Sequence, residues 1–236
     1  MNHEWPRRVA ALTQLRVNDI DVPVLSRDDD HHLRRVLRAR EGEEVVLCDG
    51  RGSWRFAKVC ATGWDEVGQV FFDEPVARTT LYLAPLKGER GEWAVAKATE
   101  VGVSAIVPLL SERLVLKFRG DTRDKVLARW RRIGAESAGQ CRRSYDIVIE
   151  EPVTPDEVPE EVAVADFTGS GDWRGVRAVA IGPEGGWGSA EWSATRRRVS
   201  LGPSVLRGET AAVVAAALVT FTQGSWGFRA GSHENE

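Results

Sequence analysis

The spacing of apolar positions follows two patterns along this chain, and the change from one pattern to the other divides the chain into two predicted parts. Up to about residue 74 the apolar runs are short, and they predict strands at 45–48, 55–59 and 68–72. The sequence DGRG at 49–52 predicts a hairpin turn between the first two strands. Beyond residue 80, strand-like runs alternate with helix-length segments, a pattern typical of a parallel sheet with crossover helices. We therefore expect a small β-rich part, a linker at 75–80 and an α/β part.

The α/β part is predicted to begin with a strand at 81–85, a polar turn at 87–90, a helix at 91–101 and a strand at 105–109. A basic helix follows over 121–142, in which Val126, Trp130 and Ile133 recur at helical spacing. Further strands are predicted at 147–149, 162–165 and 176–181. The Ala-rich, apolar run at 209–221 predicts a buried helix.

One helix is predicted in the β-rich part, over 31–38, with the aspartates at 28–30 as its N-caps. Its apolar residues Leu33, Val36 and Leu37 would share one face. The basic side chains of the same stretch would then point outward.

Two glycine-rich segments follow predicted strands. The first glycine segment, IGPEGG at 181–186, ends the strand at 176–181. The second glycine segment, LGPSVLRGET at 201–210, joins an extended stretch at 199–201 to the last helix. Glycines after a strand are often only turn residues. Because ligands of open α/β sheets bind where strands end, the two segments together predict a pocket built mostly of peptide groups.

Neither glycine segment carries a known phosphate-binding pattern. The Walker sequence needs Gly-Lys-Ser/Thr, and the dinucleotide fingerprint needs Gly-x-Gly-x-x-Gly. Their absence disfavours a phosphate cradle and leaves a nucleoside-like ligand held by backbone contacts.

Composition narrows the class of protein. With 42% hydrophobic and 28% charged residues in 236, the chain has the balance of an ordinary globular protein. It contains no apolar run of membrane-spanning length and no secretory signal at its start, so we expect a cytoplasmic protein. Cys48, Cys60 and Cys141 have no metal-ligand spacing with one another or with the histidines. Neither a disulfide framework nor a metal site is predicted.

Charge is segregated along the chain, although its net value is only -3. Residues 113–143 are strongly basic, and residues 146–191 are predominantly acidic. A solvated helix face explains part of such a run. A one-sided positive field also suits nucleic-acid phosphates.

Four blocks of sequence carry a resemblance to a known family. They are IGPEGGWGSAEW at 181–192, LGPSVLRGETA at 201–211, the stretch 83–117 and the stretch 31–52. In these blocks the chain resembles the SPOUT methyltransferases, specifically the 16S rRNA (uracil-N3) methyltransferase family. The resemblance implies an α/β, SPOUT-type trefoil-knotted parallel sheet domain over 81–230. It also implies a PUA-like, RNA-binding β-barrel over 1–74 and a homodimer formed through the knotted domain. Independently of the resemblance, we expect a disordered tail at 231–236, because chain termini are often poorly ordered.

The same resemblance implies S-adenosylmethionine as cofactor, without a metal or a membrane. The acceptor would be N3 of one uridine, U1498 in the conventional count, in 16S rRNA of the small ribosomal subunit. The cofactor-binding residues would be Phe167, Ile181, Gly182, Pro183, Glu184, Gly185, Gly186, Leu201, Gly202, Val205, Leu206 and Thr210. The RNA-binding residues would be His32, Arg34, Arg35, Arg38, Lys87, Arg90, Arg113, Arg142 and Arg143.

Methyl transfer to uracil N3 needs the N3 proton removed or the uracil anion stabilised. Arg207 is the predicted stabiliser of charge on the uracil oxygens, and Glu209 is predicted either to accept the proton or to fix Arg207. A carboxylate in the first turn of a helix also satisfies backbone amides, so a structural role for Glu209 stays open.

The chain departs from the family at 139–143. Where the family has Glu-Gln-x-Gly-Arg, this chain reads GQCRR, so Gln140 and Arg143 match but Gly139 and Arg142 do not. Two other functions remain open: a SPOUT enzyme that methylates a ribose 2′-OH or another base, and a non-catalytic ribosome-binding factor.

Overall fold

The computed structural model describes residues 4–61, 63–116 and 118–222, and the chain forms two compact units. The first unit contains the chain up to Val76 together with Ala135–Asp146. The second contains Ala77–Gly134 and the chain from Ile147 onward. The sequence analysis placed 135–146 wholly in the second part, whereas the structure groups it with the first. The tail predicted at 231–236 lies outside the described residues.

The first unit is built on a five-stranded sheet. Its strands are β1 (Gln14–Arg16), β2 (Glu44–Cys48), β3 (Ser53–Cys60), β4 (Gly63–Asp65) and β5 (Phe71–Phe72). The order is β1-β2-β3-β4, with β5 beside β3. Strand β1 pairs with β2 in parallel, and β2 and β3 form the predicted antiparallel hairpin. The strand predicted at 68–72 is shorter than expected.

Side chains of β2 and β3 alternate between two apolar clusters, as the period of a strand requires. Val45 and Leu47 lie in one cluster, whereas Val46 and Cys48 lie in the other. In the second cluster the rings of Trp54 and Phe71 stack at 4.5 Å between centroids. The sheet is thus covered by apolar side chains on both faces.

The helices of the first unit differ from prediction. Helix α1 (Trp5–Ala10) was not predicted, and α2 (Arg27–His31) begins earlier than the expected residue 31 and continues into a π-helical turn over His32–Val36. The hydroxyl of Ser26 accepts a hydrogen bond from the amide of Asp29 at 3.0 Å, so serine caps this helix where the aspartates at 28–30 were expected. Because the π turn rotates the face, Leu33 is buried but Val36 is 61% exposed.

Residues 135–146 are held in the first unit by a hydrogen-bond network around the buried side chain of Arg8. Its guanidinium donates to Gln14 and pairs with Asp73 at 2.8 Å. Gln14 in turn donates to the carbonyl of Arg143 at 2.6 Å, and the Tyr145 hydroxyl donates to the carbonyl of Asp73 at 2.9 Å. A buried charge must be paired and hydrogen-bonded to be tolerated, and this segment supplies part of that network.

The second unit contains a six-stranded sheet in which every neighbouring pair is parallel. Its strands are β6 (Thr80–Leu83), β7 (Ala105–Pro108), β8 (Val148–Ile149), β9 (Ala163–Ser170), β10 (Ala178–Ile181) and β11 (Arg198–Val199). The order β11-β9-β10-β6-β7-β8 shows that the chain builds outward from β6 in one direction and then returns on the other side. The predicted α/β class with a parallel sheet is confirmed.

Three further helices are α3 (Arg90–Val101), α4 (Gly120–Gln140) and α5 (Gly208–Thr222). Helix α5 packs against α3 and against β10 and β6. Its small residues Ala211, Ala212, Ala215 and Ala216 are buried, as expected for the Ala-rich run. Trp130 of α4 is 2% exposed and joins the main core. The strand predicted at 162–165 is longer than expected, so Phe167 lies within β9 and not on a loop. Among the described residues, no helix is long and apolar enough to cross a membrane.

Candidate ligand site at the two glycine segments

A cavity of about 340 Å³ lies in the second unit, at the carboxyl ends of β10 and β11 and against the middle of β9. This is the position where parallel α/β sheets bind ligands. Both glycine segments contribute to its wall. The predicted cofactor-binding residues that line it are Phe167, Ile181, Gly182, Pro183, Glu184, Gly186, Leu201, Gly202, Val205 and Leu206.

Four other predicted residues are neighbours of the cavity in sequence but do not line it. Gly185 and Thr210 are adjacent to lining residues, and the side chain of Thr210 is exposed. Arg207 lies between the lining residues Leu206 and Gly208, with an exposed side chain. Glu209 begins α5 next to them.

Sequence analysis missed seven lining residues: Ala165, Asp166, Trp187, Ser200, Ser204, Gly208 and Ala211. Trp187 follows the first glycine segment directly, and Asp166 follows the predicted strand at 162–165. Position in the chain was therefore the available signal, because residues at the carboxyl end of a strand face the same crevice as the loop after it.

The first glycine segment is shaped around the indole of Trp187. A Cβ atom on Gly182 would lie 3.0 Å from the indole ring, so only glycine fits there without a shift. The indole nitrogen donates to the carbonyl of Ala165 at 2.9 Å, which ties the segment to β9. Trp192 meets the indole edge-to-face at 5.1 Å between ring centroids.

Glu191 holds in place the residues that follow the first glycine segment. Its carboxylate accepts hydrogen bonds from the Ser111 hydroxyl at 2.7 Å and from the amides of Glu112 and Gly188. Arg113, a predicted RNA contact, donates to the carbonyl of Gly185 at 3.3 Å. The first glycine segment is consequently held by side chains from several parts of the second unit.

The second glycine segment is more open. Gly202 has a φ of +124°, a conformation that side-chain-bearing residues rarely adopt, and its amide donates to the Ser200 hydroxyl at 3.2 Å. Val205 is 83% exposed. The end of the segment is packed more closely, because the side chain of Leu86 would lie 2.7 Å from a Cβ atom on Gly208.

Two carboxylates at the site share one guanidinium. Arg90, the first residue of α3, pairs with Glu184 at 2.8 Å through Nη2. Its Nη1 lies 4.0 Å from Oε2 of Glu209. That oxygen is buried, and no described residue donates a hydrogen bond to it. Buried polar atoms of native proteins are normally satisfied, so this acceptor without a donor is unusual.

Asp166 anchors the strand that leads to the second glycine segment. It pairs with Arg198 of β11 at 2.6 Å and accepts hydrogen bonds from the amide and hydroxyl of Thr168. Burial alone would raise the pKa of Asp166, but these hydrogen bonds and the Arg198 charge outweigh it, so its pKa lies below the ordinary value. Asp166 is therefore charged at neutral pH, and it forms part of the cavity wall.

In the first unit, the predicted RNA-binding residues of the π turn have different environments. His32, Arg35 and Arg38 are exposed, whereas Arg34 pairs with Asp30 at 2.6 Å and donates to the carbonyl of Cys60 at 2.9 Å. A polar concavity of about 650 Å³ lies beside them, lined by Leu25, Ser26, Arg27, Asp30, His31, Arg34, Arg35 and Ala61. The structure thus brings Arg34 and Arg35 to one surface.

Arg142 and Arg143 are engaged within the first unit. Arg142 has a positive φ of 63° and donates to the carbonyl of Ala11 at 2.6 Å. Burial lowers the pKa of both guanidinium groups from the ordinary arginine value. Both side chains are half-buried, so they belong partly to the packing of the unit.

The basic run at 113–143 is partly neutralised. Arg129 pairs with Glu92 at 2.7 Å, and Arg131 pairs with Glu151 at 2.9 Å. Lys87, in the turn before α3, is exposed. Within the described ranges, no cluster of three His, Cys, Asp or Glu residues is arranged to hold a metal ion.

Comparisons with known proteins agree with this geometry. A family model described as an RNA methyltransferase domain matches residues 73–220, and a model described as an RNA methyltransferase PUA domain matches residues 25–63. The chain is 32% identical to the ribosomal RNA small subunit methyltransferase E of Mycobacterium bovis, over 87% of this chain and 88% of that one. It is 24% identical to the Bacillus subtilis protein of the same name, over 89% of this chain and 94% of that one.

Solved structures give the same picture. The ribosomal RNA small subunit methyltransferase E of Neisseria gonorrhoeae, bound to S-adenosylmethionine, superposes with a TM-score of 0.75 at 26% identity. The alignment covers 88% of this chain and 96% of that one. A Legionella pneumophila protein solved with the same cofactor gives a TM-score of 0.77 at 27% identity, with the same coverage.

The match to the family model covers more than half of this chain, and the Mycobacterium relative aligns along nearly all of it. This chain belongs to the family of RNA methyltransferases that includes ribosomal RNA small subunit methyltransferase E.

Proposed function

We propose that this protein transfers a methyl group from S-adenosylmethionine to N3 of a uridine in 16S rRNA of the small ribosomal subunit. The observation that carries the proposal is the cavity at the strand ends, which has both glycine segments in its wall. The names and bound cofactor of the relatives support the donor and the class of RNA.

The lining of the cavity suits this cofactor. Its volume lies within the range of small-molecule sites, and its wall combines apolar side chains with the backbone of glycine turns. Among the described residues that line it, Asp166 and Glu184 are carboxylates and none is Lys or Arg. Each carboxylate is paired with an arginine that does not line the cavity, Asp166 with Arg198 and Glu184 with Arg90, so the wall offers no cation to a phosphate and suits a nucleoside with a sulfonium and no phosphate.

We assign the proton transfer to Glu209. When bound, the cofactor supplies an electrophilic methyl group, and uracil N3 becomes nucleophilic only after it loses its proton. The buried Oε2 of Glu209 is the acceptor, because it lacks a hydrogen-bond donor among the described residues and belongs to the residue that follows the cavity-lining Gly208 in the chain. The N3 proton passes to this oxygen first, and the N3 anion so formed would then take the methyl carbon as the bond between that carbon and the cofactor sulfur breaks.

We assign charge stabilisation to Arg207. Its exposed side chain follows the lining residue Leu206, so it is accessible to an RNA base that approaches the cavity. A cation beside the uracil oxygens stabilises the negative charge that develops when N3 is deprotonated.

We further propose that the first unit contacts the RNA backbone. Exposed His32, Arg35 and Arg38, together with Arg34 at the polar concavity, provide a positive surface. Lys87, Arg113 and the half-buried Arg142 and Arg143 stay proposed contributors. Since small ribosomal subunits are the proposed substrate, we place the reaction in the cytoplasm.

The proposed homodimer and trefoil knot concern the second unit. Helix α5 is apolar around its circumference, yet Val213, Val214 and Ala217 are only partly buried. Such a helix normally has a partner on each side. These partly buried residues support self-association through the second unit. We also propose that the C-terminal part of this unit is threaded through a loop and so forms the trefoil knot.

Nucleoside mass spectrometry of 16S rRNA from a gene-deletion strain tests the proposed reaction. We expect loss of 3-methyluridine and its return when the purified protein and S-adenosylmethionine are added to subunits from that strain. Loss of a different methylated nucleoside would identify another acceptor and contradict the N3 assignment. No change in the nucleosides, combined with no saturable cofactor binding, would indicate a non-catalytic ribosome-binding factor.

A further inference from the structure

Arg90 has an arrangement that its prediction as an RNA contact does not explain. Nη2 pairs with Glu184 at 2.8 Å, Nη1 faces Glu209 at 4.0 Å, and Nε donates to the carbonyl of Lys87 at 3.2 Å. All three nitrogen atoms of the guanidinium are therefore directed at protein oxygens. Protein oxygens therefore set the orientation of the guanidinium.

The two carboxylates belong to different walls of the site. Glu184 lies in the first glycine segment and lines the cavity, whereas Glu209 lies in the first turn of α5. Arg90 itself begins α3, which packs along α5. A planar guanidinium can bridge two carboxylates because its donors point in fixed, separate directions.

We propose that Arg90 is a positioning residue that joins the first glycine segment to Glu209 and aims the carboxylate at the uracil N3 proton. The inference rests on the proposed function and concerns the same site. At 4.0 Å, Arg90 attracts the Glu209 carboxylate without donating a hydrogen bond to Oε2, so the charge is held in place while the acceptor stays available. Because the same guanidinium pairs with Glu184, the conformation of the first glycine segment and the position of the Glu209 carboxylate are linked.

A lysine would not provide the same link. Its ammonium is a point charge on a flexible stem, so it would pair with one carboxylate at a time. The variant Arg90→Lys therefore keeps the positive charge of this residue but removes its ability to pair with two carboxylates at once.

The first test is steady-state kinetics of Arg90→Met and Arg90→Lys with small ribosomal subunits as substrate. We expect kcat to fall about 100-fold in Arg90→Met, the effect of misplacing a reacting group, with little change in KM for the subunit. Arg90→Lys should recover only a minor part of the loss. Lys97→Met is the matched control, because it removes a positive charge from the same helix at a residue that pairs only locally with Glu100.

A role as an RNA contact gives the opposite result. Loss of a phosphate contact would raise KM for the subunit, leave kcat unchanged, and reduce the slope of log affinity against log salt by about 0.7 to 0.9. That outcome would overturn the inference. An Arg90→Lys variant with full kcat would do the same, since a charge alone would then be sufficient.

Amide hydrogen exchange of the free protein provides a readout that does not depend on catalysis. Arg90→Met should speed exchange in the first glycine segment and in the first turn of α5 together, whereas Lys97→Met should change neither. If exchange rises in only one of these places, or in none, Arg90 does not join them. A wild-type protein that transfers no methyl group would refute the proposed reaction, and the exchange measurement would still decide whether Arg90 links the two walls.

Discussion

The two glycine segments line one cavity but are supported differently. The first is held by the Trp187 indole, the Arg90 ion pair with Glu184, and the Glu191 carboxylate. The second has a local bond between Ser200 and Gly202 and a highly exposed Val205. The first segment is therefore held mainly by side chains from other parts of the second unit, whereas the middle of the second segment depends more on its own backbone conformation.

This division has a physical logic, because a segment that side chains already hold reduces the ordering cost of binding. We therefore expect substitutions near the first segment to act by removing side chains that support it. Substitutions in the second segment should act by changing its backbone conformation.

Trp187→Ala should have the largest effect. It removes the ring that fills the space over Gly182 and the hydrogen bond to Ala165. We expect the free energy of unfolding to fall by about 2–3 kcal/mol and the affinity for S-adenosylmethionine to fall at least about tenfold. Thermal unfolding and calorimetric titration measure both quantities. Trp93→Ala, at an exposed tryptophan of α3, is the control, and an equal loss there would contradict the bracing role.

Gly202→Ala should have an intermediate effect with a different origin. No atom lies within 4 Å of the position of the new Cβ, so the cost comes from the positive φ and amounts to about 1–2 kcal/mol. Gly182→Ala instead meets the Trp187 ring. In double-mutant cycles with Trp187→Ala, the cost of Gly182→Ala should largely disappear while that of Gly202→Ala remains. Equal coupling of both glycines to Trp187 would show that the two walls are not supported separately.

Asp166→Asn should have the smallest effect, and it should depend on pH. The pKa of Asp166 is depressed in the folded protein, so its contribution is present above the unfolded pKa, near about 3.9, and is lost as pH falls through the lower folded value. We expect a destabilisation of about 0.5–1 kcal/mol at pH 7 that shrinks below about pH 4. Denaturant unfolding across pH measures it. A difference that grows toward low pH would contradict the assigned sign.

Much of the fold could be predicted because the signals are local. The strands that became β2, β3, β6, β7 and β10 are apolar runs bounded by turn residues, and α5 follows from its small, apolar composition. The π turn after α2 could not be predicted in this way, since it preserves a helical sequence while rotating the face that Val36 occupies.

The site was predictable where glycine chemistry marks it. Gly182, Gly186 and Gly202 line the cavity as the strand-to-loop pattern indicates. The pairing of Arg90 with Glu184 and Glu209 was not predictable, because it depends on how α3 and α5 pack and not on spacing in the chain. Trp187 directly follows the first glycine segment, so its place near the cavity was predictable, but its contacts with Gly182 and Ala165 were not, because only the folded chain brings these residues together.

The placement of residues 135–146 in the first unit has a consequence for how this protein can be divided or exchanged. A fragment that stops at Val76 would keep Arg8 and Gln14 but would lose the carbonyl of Arg143 and the hydroxyl of Tyr145 that complete their network. The N-terminal portion is thus not a freely transferable module. Swapping it between homologues would require swapping 135–146 with it.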